Sequence, residues 1–378
     1  MKKDRPNVGI VTFPIHDSGI VPLSNLINIL RPLSGHIHLI TGNAGCVFFK
    51  KSNQIHTYLI KHQGGTNTLS RVTKYIWTQL KFLPILMKIS RDVDFFIFFF
   101  SDEGMFIPLL AAKFLGKNVV LALTGFSVKQ SRAKKDILSK PLDFLVKTNC
   151  ILSDKITIQS EKQIGEQGLE KHKNKILVAP EHFLDFNKFK VEKRLSERDD
   201  LVGYIGRLTE EKGILNLVGA IPKVLEMRED VRFLIGGDGY LRGKIEEYLK
   251  KRNLNDKVKV VGWIPHEELS KHLNELKLLV LPSYTEGLPN IMLEAMACGT
   301  PVLATAVGSI PDIVRSKDTG FLMKRNSPQC IAENVIRALD YPDLECIAKN
   351  ARTLVEREFI YETAVERYRK IVNLILQR

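Results

Sequence analysis

The chain has 378 residues, enough for two domains of ordinary size. With 44% apolar and 26% charged residues it can fill two cores, which excludes a disordered or fibrous protein. Its formal net charge is +14, and the excess is uneven: residues 1–190 hold 27 Lys+Arg and 14 Asp+Glu (27 − 14 = 13), the rest 29 and 28 (29 − 28 = 1).

The cationic first half implies an anionic partner: lipid, a lipid diphosphate or nucleic acid. Cys46, Cys150, Cys298, Cys330 and Cys346 are scattered and form no Cys-x-x-Cys pair. Neither a disulfide framework nor a zinc site is expected, and a reduced cytoplasm fits. Met1–Asn7 is charged and the apolar run Val8–Phe13 is short, so no signal peptide is expected. The most apolar run, Phe95–Phe100, is far below the ~20 residues that span a bilayer.

In chain order, Val8–Phe13 reads as a buried parallel strand. A loop follows over Pro14–Pro22, with His16, Asp17, Ser18 and Gly19 at its tip. A helix over Leu23–Leu30 and a strand over Ile37–Thr41 complete a βαβ unit. Arg71–Arg91 predicts a helix interrupted by Pro84, with Lys74, Lys81, Lys88 and Arg91 at near-helical spacing. It either packs on the sheet or lies at a membrane interface, with Tyr75 and Trp77 at headgroup level. Lys129, Arg132, Lys134 and Lys135 form a second basic cluster. Asp92-x-Asp94 has the form of a metal motif, but it precedes the strand Phe95–Phe100, at the end away from the usual site. Asp102 and Glu103 follow that strand, and Thr124 follows the strand Val119–Leu123. Strands are expected over Ile151–Gln159 and Lys175–Pro180, then a hinge over Pro180–Lys190 and a charged linker over Glu192–Asp200.

The second half opens with a strand, Leu201–Ile205, then Gly206-Arg207-Leu-Thr-Glu-Glu-Lys212-Gly213 and a helix from Ile214. Arg207 and Lys212 place two cations in one glycine-bounded loop, as a diphosphate requires. Val231–Ile235 is a strand ended by Gly236-Gly237-Asp238-Gly239. That run lacks the third glycine of a dinucleotide fingerprint. Val258–Gly262 is a short strand, followed by Trp263 and Ile264. The strand Leu278–Leu281 runs into Pro282-Ser-Tyr-Thr-Glu286-Gly287-Leu288-Pro289-Asn290, and a helix over Asn290–Ala297 carries Glu294. The loop and helix start lie at the carboxyl end of a strand, and the amides of Leu288, Asn290 and Ile291 favour a phosphate or sugar oxygen there. Strands Val302–Thr305 and Gly320–Met323 and a terminal helix over Glu356–Gln377 complete the chain.

Glu286-x7-Glu294 followed by Ala-x-Ala-x-Gly-x-Pro resembles the signature of retaining GT-B glycosyltransferases of family 4, also called glycosyl transferases group 1. The run from Gly206 to Gly213 resembles the Gly-Arg-Leu-x-x-x-Lys-Gly of the same family. The resemblance implies an α/β GT-B fold: two facing Rossmann-like domains with parallel sheets, over 1–190 and 191–360, and a terminal helix over 361–378 that crosses back to the first. The implied reaction moves a sugar from a UDP- or GDP-sugar to a hydroxyl of a glycan or lipid-linked acceptor, in cell-envelope or polysaccharide biosynthesis, with retention. No metal and no other cofactor is implied.

By the same resemblance Glu286 lies by the donor sugar, Glu294 binds the ribose, and Arg207 and Lys212 hold the diphosphate. Gly237 would sit under the nucleotide and Ile264 would seat its base; Gly206, Gly287, Leu288, Pro289 and Asn290 are further substrate-binding candidates, and Gly19 would let backbone approach the diphosphate. His16 is an acceptor-side candidate. Relatives have a histidine near Thr124 that this chain lacks, so Asp102, Glu103 and Thr124 are the replacements to test. The expected location is cytoplasmic, peripheral on the inner face of the membrane, with no nucleic-acid partner. Two other readings share features of the chain: a GT-B-shaped UDP-GlcNAc 2-epimerase, and a non-catalytic module binding anionic membrane or nucleic acid.

Overall fold

The computed structural model describes residues 5–15, 19–45, 49, 54–99, 104–123 and 139–377. These form two compact units, 1–183 with 361–378, and 184–360. The sequence reading drew the line at 190.

The first unit is built on seven parallel strands: β1 Val8–Thr12, β2 Ile37–Thr41, β3 Ile55–Leu59, β4 Phe95–Phe99, β5 Asn118–Ala122, β6 Lys155–Ile158 and β7 Ile176–Val178, in the order β3-β2-β1-β4-β5-β6-β7. Side chains alternate between two cores. Ile10, Leu39, Ile97 and Val120 meet helices Ile20–Leu30 and Tyr361–Leu376 on one face. Val11, Ile40, Phe96, Phe98 and Leu121 meet helices Phe82–Ile89 and Phe106–Phe114 on the other. A sheet covered on both faces reads as near-continuous apolar runs, as the inner strands β1, β4 and β5 do.

The second unit has six parallel strands: β8 Leu201–Ile205, β9 Arg232–Gly236, β10 Val258–Gly262, β11 Leu278–Leu281, β12 Val302–Thr305 and β13 Phe321–Met323, in the order β10-β9-β8-β11-β12-β13. The chain winds outward from β8 to β10 and then returns to the other side of β8. The order therefore reverses between β8 and β11, and ligands of open α/β sheets bind at such a switch point.

The expected strands of the second unit fall within one residue of those observed; the first unit departs more. Strand β3 was not expected. The expected strand from Ile151 is the end of helix Ser139–Leu152 and then β6. The expected helix over 71–91 is two, Thr68–Leu80 and Phe82–Ile89, parted at Lys81 rather than at Pro84. Pro84 has no N–H to give the carbonyl four residues back, so the first helix ends and Pro84 sits in the first turn of the second. Asp94 Oδ2 accepts from the amide of Asn7 at 2.7 Å, so the Asp-x-Asp pair joins β4 to the start of β1. The terminal helix, expected from Glu356, begins at Tyr361 and runs to Leu376; residues 356–358 end a separate helix, Leu344–Glu358, that was not expected. Phe359 is buried and its carbonyl accepts the amide of Leu184 at 2.9 Å, which fixes the break. Helix Tyr361–Leu376 packs on helix Ile20–Leu30, where Tyr361 Oη donates to the carbonyl of Asn28 at 2.9 Å.

The expected charged linker holds a buried cation. Arg198 is 4% exposed. Its guanidinium donates to the carbonyls of Lys193, Leu276 and Cys298 (2.8–3.0 Å) and to Thr300 Oγ1 (2.7 Å). Leu276 and Cys298 cap the ends of helices Leu269–Glu275 and Asn290–Ala297, where carbonyls lack intrahelical donors and a cation is favoured. Burial pushes the guanidinium down to about 10, which leaves it charged at neutral pH. Burial likewise pushes the neighbouring Cys298 thiol up to about 11, against the lowering effect of Ser270 and Arg198. Arg198→Met strands these carbonyls without donors. It is expected to lower stability by roughly 3 kcal/mol, read as a lower urea midpoint at unchanged m. A loss below about 1 kcal/mol would show that the helix ends do not depend on it.

Candidate active site

Strands β8 and β11 lie side by side, with Val202 opposite Leu278 and Gly203 opposite Leu279. The loops at their carboxyl ends are residues 206–213 and 282–289. The first turns through a short 3-10 segment, Glu210–Lys212, into Gly213 at φ +66°. Gly213 is a glycine for two reasons: the left-handed backbone, and the carbonyl of Pro282, which a Cβ there would meet at 2.0 Å. The amide of Tyr284 donates to the carbonyl of Glu211 at 2.9 Å, and Asn216 Nδ2 donates to Tyr284 Oη at 2.8 Å. Asn326 Nδ2 donates to the Pro282 carbonyl at 2.9 Å. Buried Tyr204, whose phenol burial pushes up, donates to the Arg207 carbonyl at 2.7 Å.

The close approach of the two loops at Gly213 and Pro282 brings Glu286 onto Lys212. The ammonium donates to Oε1 at 2.7 Å and Oε2 at 2.8 Å. Ser283 Oγ donates to Oε1 at 2.7 Å. Glu286 is 7% exposed, and so is Glu294, which excludes a pair of solvated surface glutamates. The sequence reading gave Lys212 to a diphosphate and Glu286 to a sugar, as separate groups; the structure joins them. Arg207 is half-exposed and lies 3.4 Å from Glu211. Burial raises the Glu211 carboxyl, but its backbone hydrogen bond, Thr209, Arg207 and Lys212 together bring it below its ordinary value.

Glu294 lies in helix Asn290–Ala297, which follows the extended Pro289. Its Oε1 is 3.0 Å from His266 Nε2, and His266 Nδ1 is 2.7 Å from Lys188 Nζ. An ammonium can only donate, so Nδ1 accepts and Nε2 carries the proton that Glu294 receives. Phe189 meets the imidazole edge-on at 5.4 Å between centroids. The amide of Met292 returns to the Pro289 carbonyl at 3.1 Å, whereas those of Asn290 and Ile291 precede any intrahelical acceptor. Leu288 is buried, and the carbonyl of Gly287 accepts the amide of Ser309 at 2.9 Å.

Gly237, at φ +122°, sits where a Cβ would lie 1.9 Å from the carbonyl of Gly206. Its place is set by packing turn on turn. Ile264 is buried against Gly236, while Trp263 is exposed. The second unit therefore gathers Gly206, Arg207, Lys212, Gly237, Ile264, Glu286, Gly287, Leu288, Pro289, Asn290 and Glu294 at or just beyond the carboxyl ends of β8 to β11. In the first unit Gly19 precedes helix Ile20–Leu30 with φ −86°, a conformation open to any residue. His16, Asp17, Asp102, Glu103 and Thr124 lie outside the described residues, as do Lys129, Arg132, Lys134 and Lys135. Among the described residues no group of three His, Cys, Asp or Glu could hold a metal ion.

Sequence reasoning missed Ser283, His266 and Lys188. Ser283 three residues before Glu286 was the available signal for the first. Nothing local marks Lys188, which lies 78 residues from His266.

Gly213→Ala is expected to cost roughly 2 kcal/mol or more, through φ strain and displacement of Pro282. Gly243→Ala, in helix Arg242–Lys251 with nothing within 4 Å of the new Cβ, is expected to add about 0.5–1 kcal/mol. Denaturant midpoints of the two variants check both signs, and equal effects would refute the contact.

Comparison with known proteins places these residues in context. Residues 185–354 match the family model described as glycosyl transferases group 1. An uncharacterized glycosyltransferase of Methanocaldococcus jannaschii is 29% identical over 50% of this chain, and the match spans 49% of that relative, about half its length. The N-acetyl-alpha-D-glucosaminyl L-malate synthase of Bacillus anthracis is 24% identical over 98% of this chain and 97% of its own. Among solved structures, Anabaena HepE in complex with UDP superposes with a TM-score of 0.77 at 16% identity, covering 97% of this chain and 99% of that one. That likeness shows the fold, which is the expected GT-B arrangement of two Rossmann-like sheets. The region that carries the paired glutamates, residues 185–354, is thus similar to the glycosyl transferases group 1 family.

Proposed function

We propose that the chain is a glycosyltransferase that moves a sugar from a nucleoside-diphosphate donor to a hydroxyl of a glycan or lipid-linked acceptor, with retention of anomeric configuration. The observation that carries this reading is the pair of buried carboxylates at the switch point, Glu286 fastened by Lys212 and Ser283, and Glu294 fastened by His266. Buried carboxylates with fixed partners are positioned acceptors for sugar hydroxyls, and their partners set their orientation. The UDP held by HepE, and the amino-sugar product named for the Bacillus anthracis relative, favour a UDP-sugar donor.

In this reading Glu294 accepts the ribose hydroxyls and Glu286 a hydroxyl of the donor sugar. Arg207 and Lys212 meet the diphosphate, where negative charge grows as the bond to the sugar breaks. The C1–O bond to the phosphate breaks and a C1–O bond to the acceptor forms on the same face. The acceptor's proton passes to the departing phosphate oxygen, leaving a glycoside and a nucleoside diphosphate. A covalent glycosyl–protein adduct trapped during turnover would exclude this route.

The experiment is a thermal-shift panel of UDP, GDP, ADP and their common sugars, with Arg207→Ala and Glu294→Ala beside the parent. A nucleotide at one hundred times its Kd adds about 2.7 kcal/mol of apparent stability. One nucleotide family, UDP by expectation, should raise Tm in the parent and in neither variant. His266→Ala should raise the donor KM with little change in kcat, and His266→Gln, which keeps a donor for Glu294, should recover most of the loss. No shift with any nucleotide would refute the reading.

A further inference from the structure

Four helices cover one face of the first sheet: Thr68–Leu80, Phe82–Ile89, Phe106–Phe114 and Ser139–Leu152. Helix Phe106–Phe114 packs against each of the other three, so they form one layer. Phe82, Leu86, Ile89, Leu109, Ala112 and Cys150 turn inward and fill the core beneath. The outer side is not the polar surface such helices usually present. Leu69, Trp77, Met87, Phe114, Phe144 and Ile151 are each between 62 and 83% exposed. A lone exposed apolar side chain is ordinary, but six on one layer mark an interaction surface.

The charges among them identify what the surface meets. The four helices carry six cations (Arg71, Lys74, Lys88, Lys113, Lys140, Lys147) and a single carboxylate, Asp143, itself 3.0 Å from Lys147; Lys113 is taken by Asp154 at 2.7 Å, which leaves five for the surface. In the last helix Lys140, Phe144, Lys147 and Ile151 recur at intervals of four, three and four residues, so cations and apolar groups share one stripe. Lysine is depleted from protein–protein interfaces. At a lipid surface it is favoured, because its stem lies along the apolar groups while the ammonium reaches an anionic headgroup. Tryptophan is at home at the same depth. No helix among the described residues is long and apolar enough to cross a membrane, so the contact is an interfacial one.

We propose that the outer face of these four helices seats the chain on an anionic lipid bilayer. The seat does not rest on the reaction proposed above, and it would bring a lipid-linked acceptor and the first unit to the same surface.

The test is flotation of the full chain with vesicles of phosphatidylcholine alone and of phosphatidylcholine mixed with phosphatidylglycerol. Binding should require phosphatidylglycerol and fall as salt rises. Trp77→Ser with Phe144→Ser should lower partitioning tenfold or more. Lys140→Glu with Lys147→Glu should lower it on anionic vesicles and flatten the salt dependence. All four positions are exposed, so both variants should keep the parent's Tm. The Tm shift caused by UDP should also survive in both, which separates this surface from the nucleotide site. Absence of flotation with phosphatidylglycerol vesicles at low salt would overturn the proposal. So would undiminished flotation of both variants, or a dimer in solution that Trp77→Ser with Phe144→Ser dissolves, which would assign the face to a second copy of the chain.

Discussion

The carbonyl of Pro282 occupies the space in which a side chain on residue 213 would begin. That backbone-to-backbone contact is the constraint on which the candidate site depends. It is possible because the strand order of the second sheet reverses between β8 and β11, which sets two loops from distant parts of the chain against each other. Everything that follows is short-range. Tyr284 reaches Glu211, Asn216 reaches Tyr284, and Lys212 comes to rest on Glu286, 74 residues away. A β-carbon at position 213 would push these partners apart before any side-chain chemistry were changed.

The second unit was readable almost strand by strand because its strands are covered on both faces. Continuous apolar runs ended by glycine or proline leave few alternatives. The first unit was harder for identifiable reasons. Strand β3 lies at the edge of its sheet, and its sequence Ile-His-Thr-Tyr-Leu is half-exposed, so it lacks the run that marked its neighbours. The break near Pro84 was foreseen but misplaced, because the cost of proline falls on the carbonyl of the preceding turn rather than on its own position. The terminal helix was started too early because nothing in its sequence reveals that the carbonyl of Phe359 is taken by Leu184.

The same division runs through the site. Glu286 and Glu294 could be picked out by spacing, and the cations of the 206–213 loop by composition. Their partners could not. Ser283 stood only in the run after β11, Lys188 only within the expected hinge, and His266 was not singled out. Arg198 is the sharpest case. By composition it is one more cation in a charged stretch, yet it is buried and serves the ends of two helices, while Arg207, nine residues on, stands half-exposed. Charge counted along a chain says nothing about whether a cation meets solvent, a carbonyl or a carboxylate. Only the fold decides that.

Joining Lys212 to Glu286 changes how both residues must be read. Their side chains are 17 and 5% exposed, so water contributes little to holding either charge. In such surroundings the pair repays its desolvation only while both members are present, and removing one leaves a buried charge that costs more than the contact was worth. Ser283 strengthens the case, because its hydroxyl satisfies a carboxylate oxygen that the ammonium already holds. Glu286 is therefore held in place by its partners. A group that attracts Lys212, as a diphosphate would, acts on Glu286 at the same time. Recognition of a leaving group and placement of a sugar hydroxyl are then two aspects of one electrostatic unit, built across the two strands at which the sheet turns back on itself.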